Sequence, residues 1–108
     1  MNTTEEDRAD KHFRQLVELI EKANFSTYKI ISPKQIRVSQ PGVPRNPSII
    51  FVPTSDFLED ESDQFNDVVL AGIQKAKGIL QNPPSPELGV QGQIHLGHKG
   101  PFFEKRIQ

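Results

Sequence analysis

Cysteine and tryptophan are absent from the 108 residues. Without cysteine there is no disulfide, no thiolate metal site and no thiol nucleophile. No run approaches the roughly 18 consecutive apolar residues that would read as a membrane span. No apolar segment near Met1 reads as a signal peptide, so the expectation is a cytoplasmic protein outside the membrane. Hydrophobic residues are also scarce, at 34%, while prolines number nine and glycines seven. A chain of this length closes one modest core and no second one. A thin core is often completed by a partner or by a second copy.

Acids are missing from residues 22–55, which carry Lys22, Lys29, Lys34, Arg37 and Arg45. Bases are missing from residues 56–67, which carry Asp56, Glu59, Asp60, Glu61, Asp63 and Asp67. The formal net charge of −1 therefore conceals a chain polarised in parts.

Residues 4–23 have the pattern of a helix. Phe13, Leu16, Val17, Ile20 and Ala23 recur at spacings of three and four and form one apolar stripe. Thr3 or Thr4 suits the N-cap, with Glu6 or Asp7 completing a capping box, and Asn24 suits a left-handed C-cap. Tyr28–Ile31 and Gln35–Val38 read as strands around a Ser32-Pro33-Lys34 turn. Alternation places Tyr28, Ile30, Ile36 and Val38 on one face and Lys29 and Arg37 on the other, predicting a buried side and a basic side. Three prolines and Gly42 make residues 40–47 a loop. The third strand, Ser48–Val52, is apolar on both faces, which predicts cover on each.

A second helix is expected over residues 63–80, capped by Ser62 or Asp60, with Phe65, Val68 or Val69, Gly72, Ile73, Ala76 and Leu80 as its buried stripe. Glycine at position 72 costs about 1 kcal/mol against alanine, which predicts close packing against another backbone. Lys75 and Lys77 fall towards the end of this helix, where its dipole favours cations. The Asn82-Pro83-Pro84-Ser85-Pro86 segment ends regular structure. The expected fold class is α+β, a single domain in α-β-β-β-α order. Residues 1–81 form the domain, with a small antiparallel sheet, and residues 82–108 form a loosely held Gly/Pro-rich C-terminal tail. Within the tail, Gln93–Leu96 is strand-like, and Phe102 and Phe103 are candidate anchors.

From Gln35 onward the chain resembles the YbaB/EbfC family of small bacterial nucleoid-associated proteins. Gln35-Ile36-Arg37-Val38-Ser39-Gln40-Pro41-Gly42 is similar to a family strand that ends in Asn-Gly, with Pro41 where asparagine is usual. Ile49-Ile50-Phe51-Val52-Pro53 is similar to Val-x-Ile-Asp-Pro, with Val52 in place of the acid. Phe57-Leu58-Glu59-Asp60 is similar to Leu-Leu-x-Asp-Asp, and residues 65–77 are similar to the helix that follows it. The likeness covers about half of the chain. It implies a homodimer whose sheets join, with duplex DNA as the partner and the nucleoid as the location.

No glycine-rich phosphate loop and no serine–histidine–acid grouping is present, so enzymatic activity and a cofactor are not expected. His95-x-x-His98 lacks a third ligand, and the acidic run lacks EF-hand spacing, so no metal site is expected. The nucleic-acid-binding candidates are Lys11, Arg14, Lys22, Lys29, Lys34, Arg37, Arg45, Lys75 and Lys77. They would act through phosphates with weak sequence preference, because nothing resembles a base-reading helix. Two other readings stand beside this one. The first is a protein-interaction module, an adaptor or chaperone-like dimer that takes a protein partner. The second, a double-stranded RNA binder, shares the element order, but its second helix normally opens with lysines and this one opens with acids.

Overall fold

The apolar stripe near the N-terminus forms α1, Thr4–Lys22, which buries Ala9, Phe13, Leu16 and Ile20. Asn24 follows it at φ 66°, the left-handed conformation that ends helices and that asparagine tolerates. The computed structural model describes residues 4–40, 47–61, 63–83 and 89–105. Arg45 and Ser62 lie outside the described residues, as do Thr3 and the side chains of Thr4, Glu6 and Asp7.

The strands expected in the first half are present as β1 (Thr27–Ser32), β2 (Gln35–Ser39) and β3 (Ser48–Pro53), paired antiparallel in chain order. The alternation falls as expected in β2, whereas Tyr28 and Ile30 of β1, expected on the buried side, are exposed at the edge of the sheet. Ile36, Val38, Ile49 and Phe51 point to the helices and are buried, while Lys29 and Arg37 face each other on the opposite side.

Beyond β3 the chain departs from the α-β-β-β-α expectation. A short helix, α2 (Ser55–Glu59), precedes α3 (Phe65–Gln81), and residues 90–105 form β4 (Val90–Gly97) and β5 (Gly100–Lys105). Strand β4 runs parallel to β3, and β5 returns antiparallel, so the sheet has five strands in the order β1-β2-β3-β4-β5 and is mixed rather than antiparallel. Two parallel neighbours need a long crossover, and α2 with α3 supplies it. The segment placed in a tail by its glycines and prolines therefore contributes two of the five strands. A two-residue loop, His98-Lys99, joins them, with Gly100 at φ 106°, a conformation open to glycine.

Thr54 caps α2 by accepting a hydrogen bond from the Phe57 N–H, 3.2 Å away. Asp60, expected to cap the second helix, instead closes α2, its N–H donating to Asp56 O. Helix α3 starts behind Gln64 without a side-chain cap, buries Phe65, Val68, Val69, Gly72, Ile73, Ala76 and Leu80, and has no base in its last turn. Lys75 and Lys77 sit before that turn. The close neighbour of Gly72 is the Leu96 side chain, 2.8 Å from where a Cβ would lie, and not a backbone as expected.

All three helices cover one face of the sheet and close a single core with Ile36, Val38, Ile49, Phe51, Ile94 and Leu96. His12 fastens α1 to α2. It is buried and stacks on Phe65 at 4.8 Å, and its Nδ1 lies 2.5 Å from Leu58 O. Arg8 adds a hydrogen bond to Glu59 O at 3.0 Å. Removing a buried hydrogen bond together with its ring strands a buried carbonyl, so His12→Ala costs about 2 kcal/mol of stability. Urea unfolding with an unchanged m-value checks this.

Candidate nucleic-acid interface

The opposite face of the sheet is left bare by the helices, and its central cross-strand row is graded in charge. From β1 to β5 the opposed residues are Lys29, Arg37, Ile50, Gln93 and Glu104. Adjacent strands lie about 4.8 Å apart, so Glu104 sits roughly 14 Å from Arg37 across the sheet. That exceeds the Debye length of about 8 Å at physiological salt. The acid therefore does little to neutralise the two bases. Among the described residues neither Lys29 nor Arg37 has a carboxylate within ion-pair distance.

The next row places Thr27, Ser39 and Ser48 opposite one another on the same face. Thr27 Oγ1 and Ser39 Oγ are hydrogen-bonded at 2.7 Å, and Arg37 Nε donates to Ser48 Oγ at 3.0 Å. That contact holds the guanidinium by its Nε, and among the described residues no other side chain takes its remaining N–H groups. Together these side chains and Val38 line a shallow hollow of about 270 Å³. Two cations beside three hydroxyls form a positive donor set suited to oxyanions, although one proton of the Thr27–Ser39 pair is spent between them and Ser39 and Ser48 are buried, so the cations are the accessible donors.

The nine basic candidates separate. Lys29 and Arg37 come together in this hollow. Lys11, Arg14 and Lys22 are exposed on α1 and Lys75 is exposed on α3, in the helical layer behind the sheet. Lys77, also on α3, is half-buried, with its ammonium over the Phe25 ring at 5.8 Å. Lys34 is paired with Asp10 at 2.7 Å and lies over the Phe13 ring at 5.6 Å. No family model, curated protein or solved structure matches the chain. The site is therefore assembled from its own side chains. Thr27, Ser39 and Ser48 were missed as candidates, although Thr27 and Ser39 share the alternation that puts Lys29 and Arg37 on one face.

His95 and His98 do not converge. His95 Nε2 lies 2.8 Å from Glu104, and His98 Nε2 lies 3.0 Å from Asp60. No group of three metal-ligating side chains occurs among the described residues, and no helix described is long and apolar enough to cross a membrane.

The Lys34–Asp10 pair ties the β1–β2 turn to α1. The hydrogen bond and charge of Lys34 hold the Asp10 carboxyl below its usual range. A depressed carboxylate pKa stabilises the fold above the unfolded value, and that contribution is lost as pH falls through the folded value. In an NMR acid titration, Lys34→Ala should return Asp10 upward towards an ordinary aspartate. Since both side chains are exposed, stability at neutral pH should hardly change.

Proposed function

We propose that this chain is a non-enzymatic, homodimeric protein that binds duplex DNA along its sugar–phosphate backbone, as part of the nucleoid. The observation that carries the reading is the hollow in which Lys29 and Arg37, without a carboxylate partner among the described residues, stand beside Thr27, Ser39 and Ser48. The resemblance of residues 35–77 to the YbaB/EbfC family points the same way. Contacts from a sheet face to phosphates carry no base information, so discrimination among sequences is weak. A sequence pI near 6.3 confines binding to a local patch.

A second reading, a protein-interaction module, is favoured by the apolar side chains left at the surface. Tyr28, Ile30 and Ile31 on β1 and Phe102 on β5 are exposed, and Ile50 and Val52 are only half-buried on the bare face, against the expectation of cover on both sides of β3.

Fluorescence anisotropy with a labelled non-specific duplex separates the two. Phosphate binding gives an affinity that falls steeply and linearly on a log–log plot against salt. The absence of binding at micromolar protein and low salt would remove the DNA reading. Capture of a polypeptide strand that persists at high salt would favour the second.

A further inference from the structure

We infer that the bare sheet face also takes an unpaired DNA strand, whose bases lie over the rings of Phe102 and His95 while its phosphates run back to Arg37 and Lys29. The inference rests on the phosphate-binding reading above and adds a second form of ligand to the same face. The register puts the rings there. His95 on β4 stands opposite Val52 on one side and Phe102 on the other. Glu104, two residues along β5 from Phe102, ends the row of Lys29, Arg37, Ile50 and Gln93. Alternation therefore sets Phe102 on the bare face with them. Phe102 is 64% exposed, and the His95 imidazole lies beside it, ring centroids 6.3 Å apart and planes inclined at 32°. The hydrogen bond from His95 Nε2 to Glu104 holds that imidazole in place.

Rings presented on a sheet face are platforms on which nucleobases stack, whatever their sequence. A duplex keeps its base faces inside its own stack, so these rings add nothing to duplex binding. They add to a strand whose bases are free to turn outward. Charge decides the occupant. Phe102 lies three strand spacings from Arg37, at about 4.8 Å each, and one row further along, so the span is roughly 16 Å. That is the scale on which a sheet face holds about two or three bases. Lys99, in the turn beyond Phe102, is exposed, and among the described residues it has no carboxylate within ion-pair distance. The acids at this end, Glu104 and Asp60, are each engaged by an imidazole, His95 and His98. Between the cations, Ile50, Val52 and Gln93 are uncharged and half-buried. A polyanion that carries its own aromatic rings answers both halves of this face, whereas an apolar polypeptide would leave the cations unanswered.

The test compares two labelled oligomers of roughly 12 nucleotides by fluorescence anisotropy at low salt. One is oligodeoxythymidine, and the other is an abasic strand of the same length, sugar and phosphate alone. The wild type should bind the thymidine oligomer about tenfold or more tightly than the abasic one. Phe102→Ala should abolish that preference while leaving affinity for the abasic strand and for duplex unchanged, with unaltered far-ultraviolet circular dichroism. The absence of tryptophan gives a second readout: the single indole of Phe102→Trp should be quenched by the thymidine oligomer and not by the abasic one. Equal affinity of the wild type for the two oligomers, or a preference that survives Phe102→Ala, overturns the inference and leaves the duplex reading standing. Base-dependent strand binding without duplex binding overturns the duplex reading alone. Binding of neither form at micromolar protein overturns both.

Discussion

Replacing Lys29 and Arg37 together by alanine should lower the slope of log affinity against log salt by about 2 per protomer, since each phosphate neutralised contributes about 0.9. Affinity for non-specific duplex at low salt should fall by about 1.5 to 3 orders of magnitude, because each of the two charge-assisted contacts is worth roughly 1–2 kcal/mol. Both residues are exposed on the bare face, so the stability cost should be confined to the lost Arg37–Ser48 hydrogen bond, about 1 kcal/mol. The helical bases provide the control. Lys11→Ala with Lys75→Ala removes the same charge from the layer behind the sheet and should leave the slope nearly unchanged. If the two double variants weaken binding equally, the cations act as a diffuse field and the hollow has no special role.

The second large effect falls on Gly92. A Cβ at this position would press into the carbonyl oxygen of Glu104 in β5 and come within 2.7 Å of the Phe103 ring. A backbone oxygen cannot rotate away as the tip of a leucine can. Gly92→Ala should therefore separate β5 from β4, costing about 3 kcal/mol or more, or roughly 15 °C in melting temperature for a domain of this size. Gly78→Ala reverses the sign. It lies exposed within α3 with nothing near the added methyl group, so the higher helix propensity of alanine should stabilise by about 1 kcal/mol. Thermal melts of the two variants test both statements, and a Gly92→Ala protein as stable as the wild type would contradict the packing of β5.

That same glycine explains why the C-terminal strands were hard to read. Gly92, Gly97, Gly100 and Pro101 punctuate the sequence as a loop does, yet Gly92 marks a close approach of two strands and Gly100 a two-residue turn. Neither role has a residue pattern of its own. By contrast, period-two alternation in Tyr28–Ile31 and Gln35–Val38 was enough to set Lys29 and Arg37 on one face, although Tyr28 and Ile30 on the other face are exposed and the apolar run Ser48–Val52 carried no alternation to assign its faces. The short α2 was hidden inside the acidic run, where Phe57 and Leu58 are its only buried side chains. The parallel β3–β4 pairing spans residues 54–89 and leaves no local trace.

The candidate site was half legible. Alternation alone brought Lys29 and Arg37 together. It could not show that Lys34 is held by Asp10, 24 residues away, or that the bases of α1 and α3 lie behind the sheet. Nor could it supply the third hydroxyl, since Ser48 reaches the hollow only through the β2–β3 register.

The most direct measurement is an amide and side-chain NMR titration with a short duplex of arbitrary sequence at low salt. The largest shifts should cluster on Thr27, Lys29, Arg37, Ser39 and Ser48 and collapse as salt is raised. Shifts centred on Lys11, Arg14 and Lys75 with the sheet silent, or no shifts at all, would contradict the account.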